Sequence, residues 1–482
     1  MKETIPLPEQ YKKQIFFKKK SILTSPLKPP QNGETVYSLN KNQLNEIRSI
    51  RGEKMELDPG MGGVSPTKIR QWINDGCKLT SLDLMLTKNC NFSCTWCFAG
   101  SKPGEKESLS FDIIKNTVDQ AANIGIKLFI LTGGEPLMYR DSKNKKGFFD
   151  VVDYIQETYR MHNKEIKILV FDDVALITPK IARLFFHKNI ALCTKADTLD
   201  SSLQDFKLQK KGAFDEMMRG YQNLWDAGYG KTKSPPIVVN TVLDHTTFDG
   251  IIDLHFWVRE HGMDHSIVPV HYCGNALNGD QEGGIHSHHV KVLYDLLAWI
   301  DKEEFGETWT PWSAFPKNKN CNRNLSGLHI RSSGLVTACS ESPGPDEVAD
   351  YTFGNINEID IETIANSEKL ENYRIDFEKG HGKYVCNPDV CDLYKEDLCR
   401  GGCATRSAYS KIDYETGLIT QNENRLNYSQ FREDPLCPAW TVLAEKQGVL
   451  KAGLLDEVHQ FLIKTSMRIY KEKYRNRVSL SH

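Results

Sequence analysis

The sequence predicts an α/β fold: a partial (β/α)6 barrel of the TIM type followed by an irregular, cysteine-rich C-terminal domain. Three observations carry that expectation. Six short apolar runs alternate with amphipathic stretches between residues 82 and 275, seven cysteines crowd the segment from Cys321 to Cys437, and hydrophobic periodicity fades beyond about residue 305. Strand–helix alternation of this kind builds right-handed βαβ units and a parallel sheet, whose strands are buried on both faces and therefore read as apolar runs.

Taken in order, residues 1–78 form an N-terminal extension rich in Lys, Pro, Asn and Gly, with no sustained period, read as a segment that wraps a neighbour or is partly disordered. Residues 79–305 hold the barrel. Its strands are expected at LDLML, KLFIL, IKILVF, NIALCT, PIVVNTVL and SIVPVHY. Its helices are expected at SFDIIKNTVDQAANIG, GFFDVVDYIQETY, TPKIARLFF, GAFDEMMRGYQNLWDAG and TFDGIIDLHFWVREHG. Residues 306–440 are dense in Cys, Gly, Asn and Asp, and metal ligation is expected to staple what a small core cannot hold. Residues 441–482 return to a helical pattern through Leu454, Leu455, Val458, Phe461 and Leu462, and their basic end is read as a solvated helix terminus.

With 61 Lys+Arg against 63 Asp+Glu the chain has a formal net charge of −2, so no global attraction draws it to nucleic acid. No apolar run approaches the ~18–20 residues of a membrane-spanning helix. The start MKETIPLPEQYKKQIFFKKKS lacks the apolar region and cleavage site of a secretory signal, so a cytoplasmic location is expected. In a reducing cytosol, clustered thiols point to zinc or iron–sulfur ligation rather than disulfides.

Cys90, Cys94 and Cys97, in LTKNCNFSCTWCFAG, directly follow the first strand, which places them in a loop at the carboxyl edge of the sheet, where parallel α/β folds put their chemistry. Three thiolates in a C-x3-C-x2-C spacing can hold three irons of a [4Fe–4S] cube and leave the fourth open to a chelating ligand, whereas a structural zinc site wants four closed positions. Gly133, Gly134, Glu135 and Pro136 end the second strand. The glycines there would let the backbone approach a ligand closely, and Glu135 offers an acceptor for an ammonium group.

Through CNFSCTWC, with Trp96 before the last cysteine, and through GGEP, the chain resembles the radical S-adenosylmethionine (SAM) superfamily over roughly residues 80–275. The resemblance implies a [4Fe–4S] cluster on Cys90, Cys94 and Cys97 whose open iron is chelated by the amino and carboxylate groups of SAM. Reductive cleavage of SAM would give a 5′-deoxyadenosyl radical that abstracts hydrogen from substrate, with an electron donor such as flavodoxin or ferredoxin. Lys195 and Asn240, at the ends of the fourth and fifth strands, are candidates for SAM contacts.

The later cysteines run Cys321-x12-Gly334-x4-Cys339, then Cys386-x4-Cys391-x7-Cys399-x3-Cys403, and finally Cys437, with FGNINE at residues 353–358 between the two halves. This array resembles the SPASM extension of peptide-maturing radical SAM enzymes, which makes the C-terminal domain an iron–sulfur domain. The resemblance implies one auxiliary [4Fe–4S] cluster on Cys386, Cys391, Cys399 and Cys437, and a second on Cys321, Cys339 and Cys403 with an open iron. Two gaps are each two residues longer than usual, which leaves the partition of ligands open. A closed zinc site on the four cysteines from Cys386 to Cys403 is the alternative.

Other strand-end residues, Asp172, Asp173, Asp197, His271 and Tyr272, are placed to line a pocket. Cys193 and Cys273 read as packing residues. The tract His286-Ser287-His288-His289 reads as an exposed first turn of a helix. Ser-His-Asp, Walker and G-x-G-x-x-G patterns are absent, which removes support for hydrolase and nucleotide-kinase functions. The expected activity is hydrogen abstraction from a peptide or protein substrate, with auxiliary clusters accepting an electron. The alternatives are the same chemistry on a small molecule such as an amino sugar, and a non-catalytic iron–sulfur electron carrier.

Overall fold

The computed structural model describes residues 4–12, 21–28, 66–231, 233–278, 284–309, 321, 326–342, 351–379, 386, 389–396, 399, 401–421 and 434–466. All six expected strands are present: β1 (Ser81–Met85), β2 (Leu128–Thr132), β3 (Lys167–Asp172), β4 (Ala191–Lys195), β5 (Ile237–Leu243) and β6 (Asp264–Pro269). Each pairs in parallel with the next. Between them run α1 (Phe111–Ile124), α2 (Phe148–Met161), α3 (Pro179–His187), α4 (Ser201–Leu208), α5 (Ala213–Ala227) and α6 (Ile251–Glu260), and α7 (Ser287–Ile300) follows β6.

Local chemistry accounts for these elements. In α1 the Ser110 side chain accepts from the Ile113 amide at the start, and Gly125 (φ 83°) takes the left-handed conformation that ends it. Ile114, Val118, Ala121 and Ala122 lie between, buried at helical spacing. The sheet face carrying Leu82, Leu84, Phe129, Leu131, Ile168, Val170 and Leu192 packs against the helices. The opposite face, through Leu128, Ile130, Leu169, Ala191 and Cys193, forms a separate apolar cluster on the inner side of the curved sheet.

The barrel does not close. Instead β7 (Gly327–Ile330) adds in parallel to the outer edge of β1, and β8 (Leu335–Thr337) and β9 (Thr352–Asn355) continue the sheet antiparallel. The nine strands run β9-β8-β7-β1-β2-β3-β4-β5-β6. The cysteine-rich segment, expected to be irregular, therefore begins as part of the sheet. Strands of three and four residues are too short to leave a periodic signature.

After this come α8 (Ile361–Ala365), α9 (Glu368–Lys379), α10 (Ala404–Tyr409), the ribbon β10 (Ser410–Ile412) and β11 (Ile419–Gln421), α11 (Ala439–Lys446) and α12 (Leu454–Thr465). The basic stretch beyond Ser466 lies outside the described residues. Part of the N-terminal extension wraps this region: Ile22 N donates to Thr416 O (2.9 Å), Thr24 N to Val449 O (2.7 Å) and Leu27 N to Tyr414 O (2.7 Å). Ile22, Leu23 and Leu27 are buried there with Cys386, Trp440 and Leu443.

The histidine tract corrects an expectation. His286, His288 and His289 are buried rather than exposed, because the start of α7 is covered: His286 Nδ1 accepts from Ile419 N (3.1 Å), Ser287 Oγ bonds Thr441 Oγ1 (2.9 Å), and Phe248 packs edge-on to His289. Among the described residues, no helix is long and apolar enough to cross a membrane.

Candidate metal centres at the barrel mouth

The loop after β1 carries Cys90, Cys94 and Cys97, and three neighbours hold its backbone. Ser93 N and Thr95 N donate to the Leu208 and Lys207 carbonyls at the end of α4 (3.2 and 3.0 Å). Asn275, after β6, donates from Nδ2 to Cys94 O (2.8 Å) and from its amide to Cys97 O (2.9 Å). The loop after β2 closes the third side, with Gly134 N to Thr87 O (2.7 Å) and Glu135 N to Asn89 O (2.8 Å).

That last contact revises why Gly133 and Gly134 are glycines. A Cβ on Gly134 would lie 2.3 Å from Asn89 O, and one on Gly133 would lie 2.8 Å from Thr87 O. The space they leave is filled by the cysteine loop itself. Gly274 (φ 55°) is cramped in the same way against Cys97 O and Phe98 O; GNALN reads as an ordinary loop, so the sequence carries no signal for it or for Asn275.

Glu135 is buried, its carboxylate accepting from Leu137 N (2.8 Å) and Asp173 N (3.2 Å). Oxygens of Glu135, Asp172 and Asp173 lie within 4.8 Å of one another. Burial raises all three carboxyls above their usual range, Asp172 to about 7 and Asp173 to about 8, with mutual repulsion adding at Glu135 and Asp173. Asp172 Oδ2 and Asp173 Oδ2 have no hydrogen-bond partner. The group is chemically suited to a cation such as an ammonium.

Across the mouth, Lys195 and Asn240 are register partners on β4 and β5. Lys195 Nζ sits 4.0 Å from the centre of the Trp96 ring and 3.6 Å from Asp197 Oδ1, and the buried Asn240 Oδ1 lacks a partner. On the inner face of β1, Asp83 Oδ1 accepts from Thr132 Oγ1 (2.8 Å) and Asp83 Oδ2 lies 3.1 Å from His329 Nδ1 on β7. The one sequence signal for this buried pair was an acid inside the apolar run LDLML.

One of the later cysteines, Cys403, reaches the same edge of the sheet. Cys403 opens α10, and its amide donates to Asp434 Oδ2 (3.0 Å). Asp434 Oδ2 also takes Arg406 Nη1 (2.7 Å), its Oδ1 takes Leu436 N (3.0 Å), and its carbonyl takes the Cys437 amide (3.0 Å). This buried acid therefore anchors two cysteines from different stretches, a role DPLCPAW did not disclose. His271, just beyond β6, reaches Cys403 Sγ from Nε2 at 4.0 Å. At the β7–β8 turn, Ser332 Oγ donates to Glu107 of the loop preceding α1.

Two groupings emerge. Burial raises the Cys437 thiol, with Cys399 and Cys391 adding, and lifts Cys399 to about 12 despite a hydrogen bond from Gly401. Cys386 packs in the apolar cluster that includes Cys437. Separately, burial raises the Tyr373 hydroxyl, and the charges of Cys339, Cys321 and Cys403 add to it. None of the thirteen cysteines forms a disulfide. In the first grouping burial holds the protons of Cys391, Cys399 and Cys437 firmly, so a soft cation must displace them. At Cys403 the neighbouring His271 and Arg406 outweigh burial and bring the thiol down to about 7. Both groupings are soft sulfur donors that fit iron–sulfur ligation.

Known proteins agree with this geometry. The radical SAM superfamily profile matches residues 84–269, and the SPASM iron–sulfur cluster-binding domain matches residues 321–401. A GTP 3′,8-cyclase of Edwardsiella ictaluri is 29 % identical over 227 residues, a match that covers 45 % of this chain but only 62 % of that protein. The GTP 3′,8-cyclase of Cronobacter sakazakii is 32 % identical over 297 residues, covering 57 % of this chain and 83 % of that protein. The solved structure of anSMEcpe with bound AdoMet and the Cp18Cys peptide superposes with a TM-score of 0.54 at 15 % identity, over 79 % of this chain and 99 % of that one.

Proposed function

We propose a function from one premise: the chain belongs to the radical SAM superfamily and carries a C-terminal SPASM-type iron–sulfur domain. [4Fe–4S] clusters and SAM are its cofactors. When bound, they supply a 5′-deoxyadenosyl radical that removes a hydrogen atom from substrate. In our reading Cys90, Cys94 and Cys97 hold the SAM cluster, and Glu135, with Asp172 and Asp173, neutralises the SAM ammonium. Lys195 and Asn240 orient its carboxylate or ribose. Cys386, Cys391, Cys399 and Cys437 hold one auxiliary cluster, and Cys321, Cys339 and Cys403 another.

The substrate we propose is a peptide or protein, oxidised at carbon. Loss of a hydrogen atom to the radical, an electron to an auxiliary cluster and a proton to a base leaves the substrate two hydrogens poorer. What supports this reading is that Cys403 lies beside His271, just beyond the end of β6, so that a cluster held by Cys403 would stand near the carboxyl edge of the sheet and could accept the electron. The peptide-bound relative of like fold supports the substrate class. A second reading, a nucleotide-like small molecule, is favoured by the cyclase relatives. The deciding experiment supplies the reconstituted enzyme, SAM and reduced flavodoxin or ferredoxin with either a peptide library or GTP. Peptide products lighter by two hydrogens, formed one-to-one with 5′-deoxyadenosine, support the first; consumption of GTP alone replaces it with the second.

A further inference from the structure

We propose that the pocket between the GGEP turn, α2 and α3 is the docking site of an acidic one-electron carrier protein that reduces the cluster on Cys90, Cys94 and Cys97; the proposal rests on the radical SAM reading of that site. The pocket has a volume of about 380 Å³, and its apolar lining is Leu137, Phe148, Phe149, Leu176 and Ile181. Its polar lining is already engaged. Asp150 accepts from Gly147 N (2.8 Å) and Lys146 Nζ (2.9 Å), and Arg140 Nη1 donates to the Leu137 and Tyr139 carbonyls (3.1 and 2.6 Å). What it offers a partner is apolar contact, as at the centre of a protein interface.

Two of its walls continue the site. Leu137 comes two residues after Glu135, and Leu176 three after Asp173. Glu135 N bonds Asn89 O (2.8 Å) and Cys90 follows, so Pro136, Glu135, Asn89 and one hydrogen bond join the pocket wall to the first cysteine of the loop. Charge selects the partner. In a chain of net charge −2, the stretches 140–150 and 176–184 that wall the pocket hold Arg140, Lys143, Lys145, Lys146, Lys180 and Arg183 against two acids, Asp141 and Asp150. Lys145 lies in the hairpin made by Arg140–Asp141 and Lys146–Gly147, and it is exposed, as are Lys180 and Arg183. Asp141 is turned inward, buried and accepting from Phe111 N (2.7 Å) and Lys143 N (2.9 Å). Asp112 adds a third acid by pairing with Lys143, and the surplus stays positive. Such a rim draws an acidic partner, and the pocket seats its apolar anchor. Each reductive cleavage of SAM takes one electron from outside: the carrier loses it, the cluster gains it and passes it to the sulfonium, whose carbon–sulfur bond breaks.

The test uses the reconstituted full-length protein, with an acidic flavodoxin and an acidic ferredoxin as probes. Binding of each oxidised carrier is titrated at low and high salt, and 5′-deoxyadenosine formation is then compared with the reduced carrier and with dithionite as electron source. The double variant Lys145→Glu/Lys180→Glu reverses two exposed charges, and Ile181→Gln alters the apolar floor at a helix position where glutamine is at home. At least one carrier should bind with an affinity that falls as salt rises, and both variants should weaken it by about tenfold. Carrier-driven cleavage should fall with it, while dithionite-driven cleavage stays at the parental rate. Binding that is indifferent to the variants or to salt overturns the proposal, as does an equal loss with dithionite or cleavage that neither carrier supports. A dimer of the parent that Ile181→Gln dissociates assigns the pocket to a second copy of the chain and overturns it too. No cleavage of SAM by the parent with dithionite overturns instead the radical SAM reading on which the proposal rests.

Discussion

Replacing Gly134 by alanine tests the idea that the GGEP turn is shaped by the cysteine loop. The added methyl would stand 2.3 Å from Asn89 O, 2.6 Å from Asn89 C and 2.8 Å from Lys88 O, all backbone atoms that no rotamer change can move. Ordinary contact begins at 3.4 Å, so the two loops must part by about 1 Å. The bonds from Gly134 N to Thr87 O and from Glu135 N to Asn89 O, now 2.7 and 2.8 Å, would stretch past bonding distance. Overpacking of about 1–3 kcal/mol and two lost bonds of about 1 kcal/mol each put the local cost near 3–5 kcal/mol. A shift of about 1 Å between Cys90 and the Glu135 carboxylate should slow SAM cleavage by roughly 100-fold. Iron analysis and 5′-deoxyadenosine formation, both anaerobic, read the effect. A Gly134→Ala protein with its full iron and a rate within about twofold of wild type would refute the close-approach argument.

Any single alanine at Cys90, Cys94 or Cys97 should abolish 5′-deoxyadenosine while leaving roughly two-thirds of the iron; wild-type cleavage in one variant removes that cysteine from the site. Leu23→Ala, in the buried N-terminal strap, should cost about 2–5 kcal/mol and selectively weaken iron retention beside Cys386 and Cys437, read by iron loss on mild chelation. Loss that falls instead on Cys90, Cys94 and Cys97 would contradict it. Burial holds His286 at about 4, below its ordinary 6.5. The unfolded chain therefore takes up the proton first, and the stability this group contributes, complete above about pH 6.5, drains away as the pH falls towards 4, by about 1.4 kcal/mol for each pH unit. Urea midpoints from pH 7.5 to 5 should fall less steeply in His286→Gln than in the parent; parallel slopes would count against the burial argument.

Much of the barrel was legible because its physics is local. An apolar run such as IKILVF can be stable only where both faces are covered, and a period such as Phe111, Ile114, Val118, Ala121 can belong only to a helix with one buried face. The cysteine spacing was legible for the same reason, since C-x3-C-x2-C lies within one loop. Other features depend on residues far apart in the chain, and only the folded structure could decide them. The pairing of β7 with β1 sets Asp83 beside His329, 246 positions later, and no window of sequence contains both. His286, His288 and His289 look solvated until Ile419 and Thr441 arrive to cover them. Asp434 becomes a hub only when the chain returns to Cys403 and Arg406. The sequence by itself determined which residues must be buried and which thiols belong to one loop, because burial period and short-range spacing are properties of neighbouring residues. Which distant thiols, acids and imidazoles share a cavity was decided by tertiary structure alone, because those contacts depend on how the sheet's edges are extended and covered.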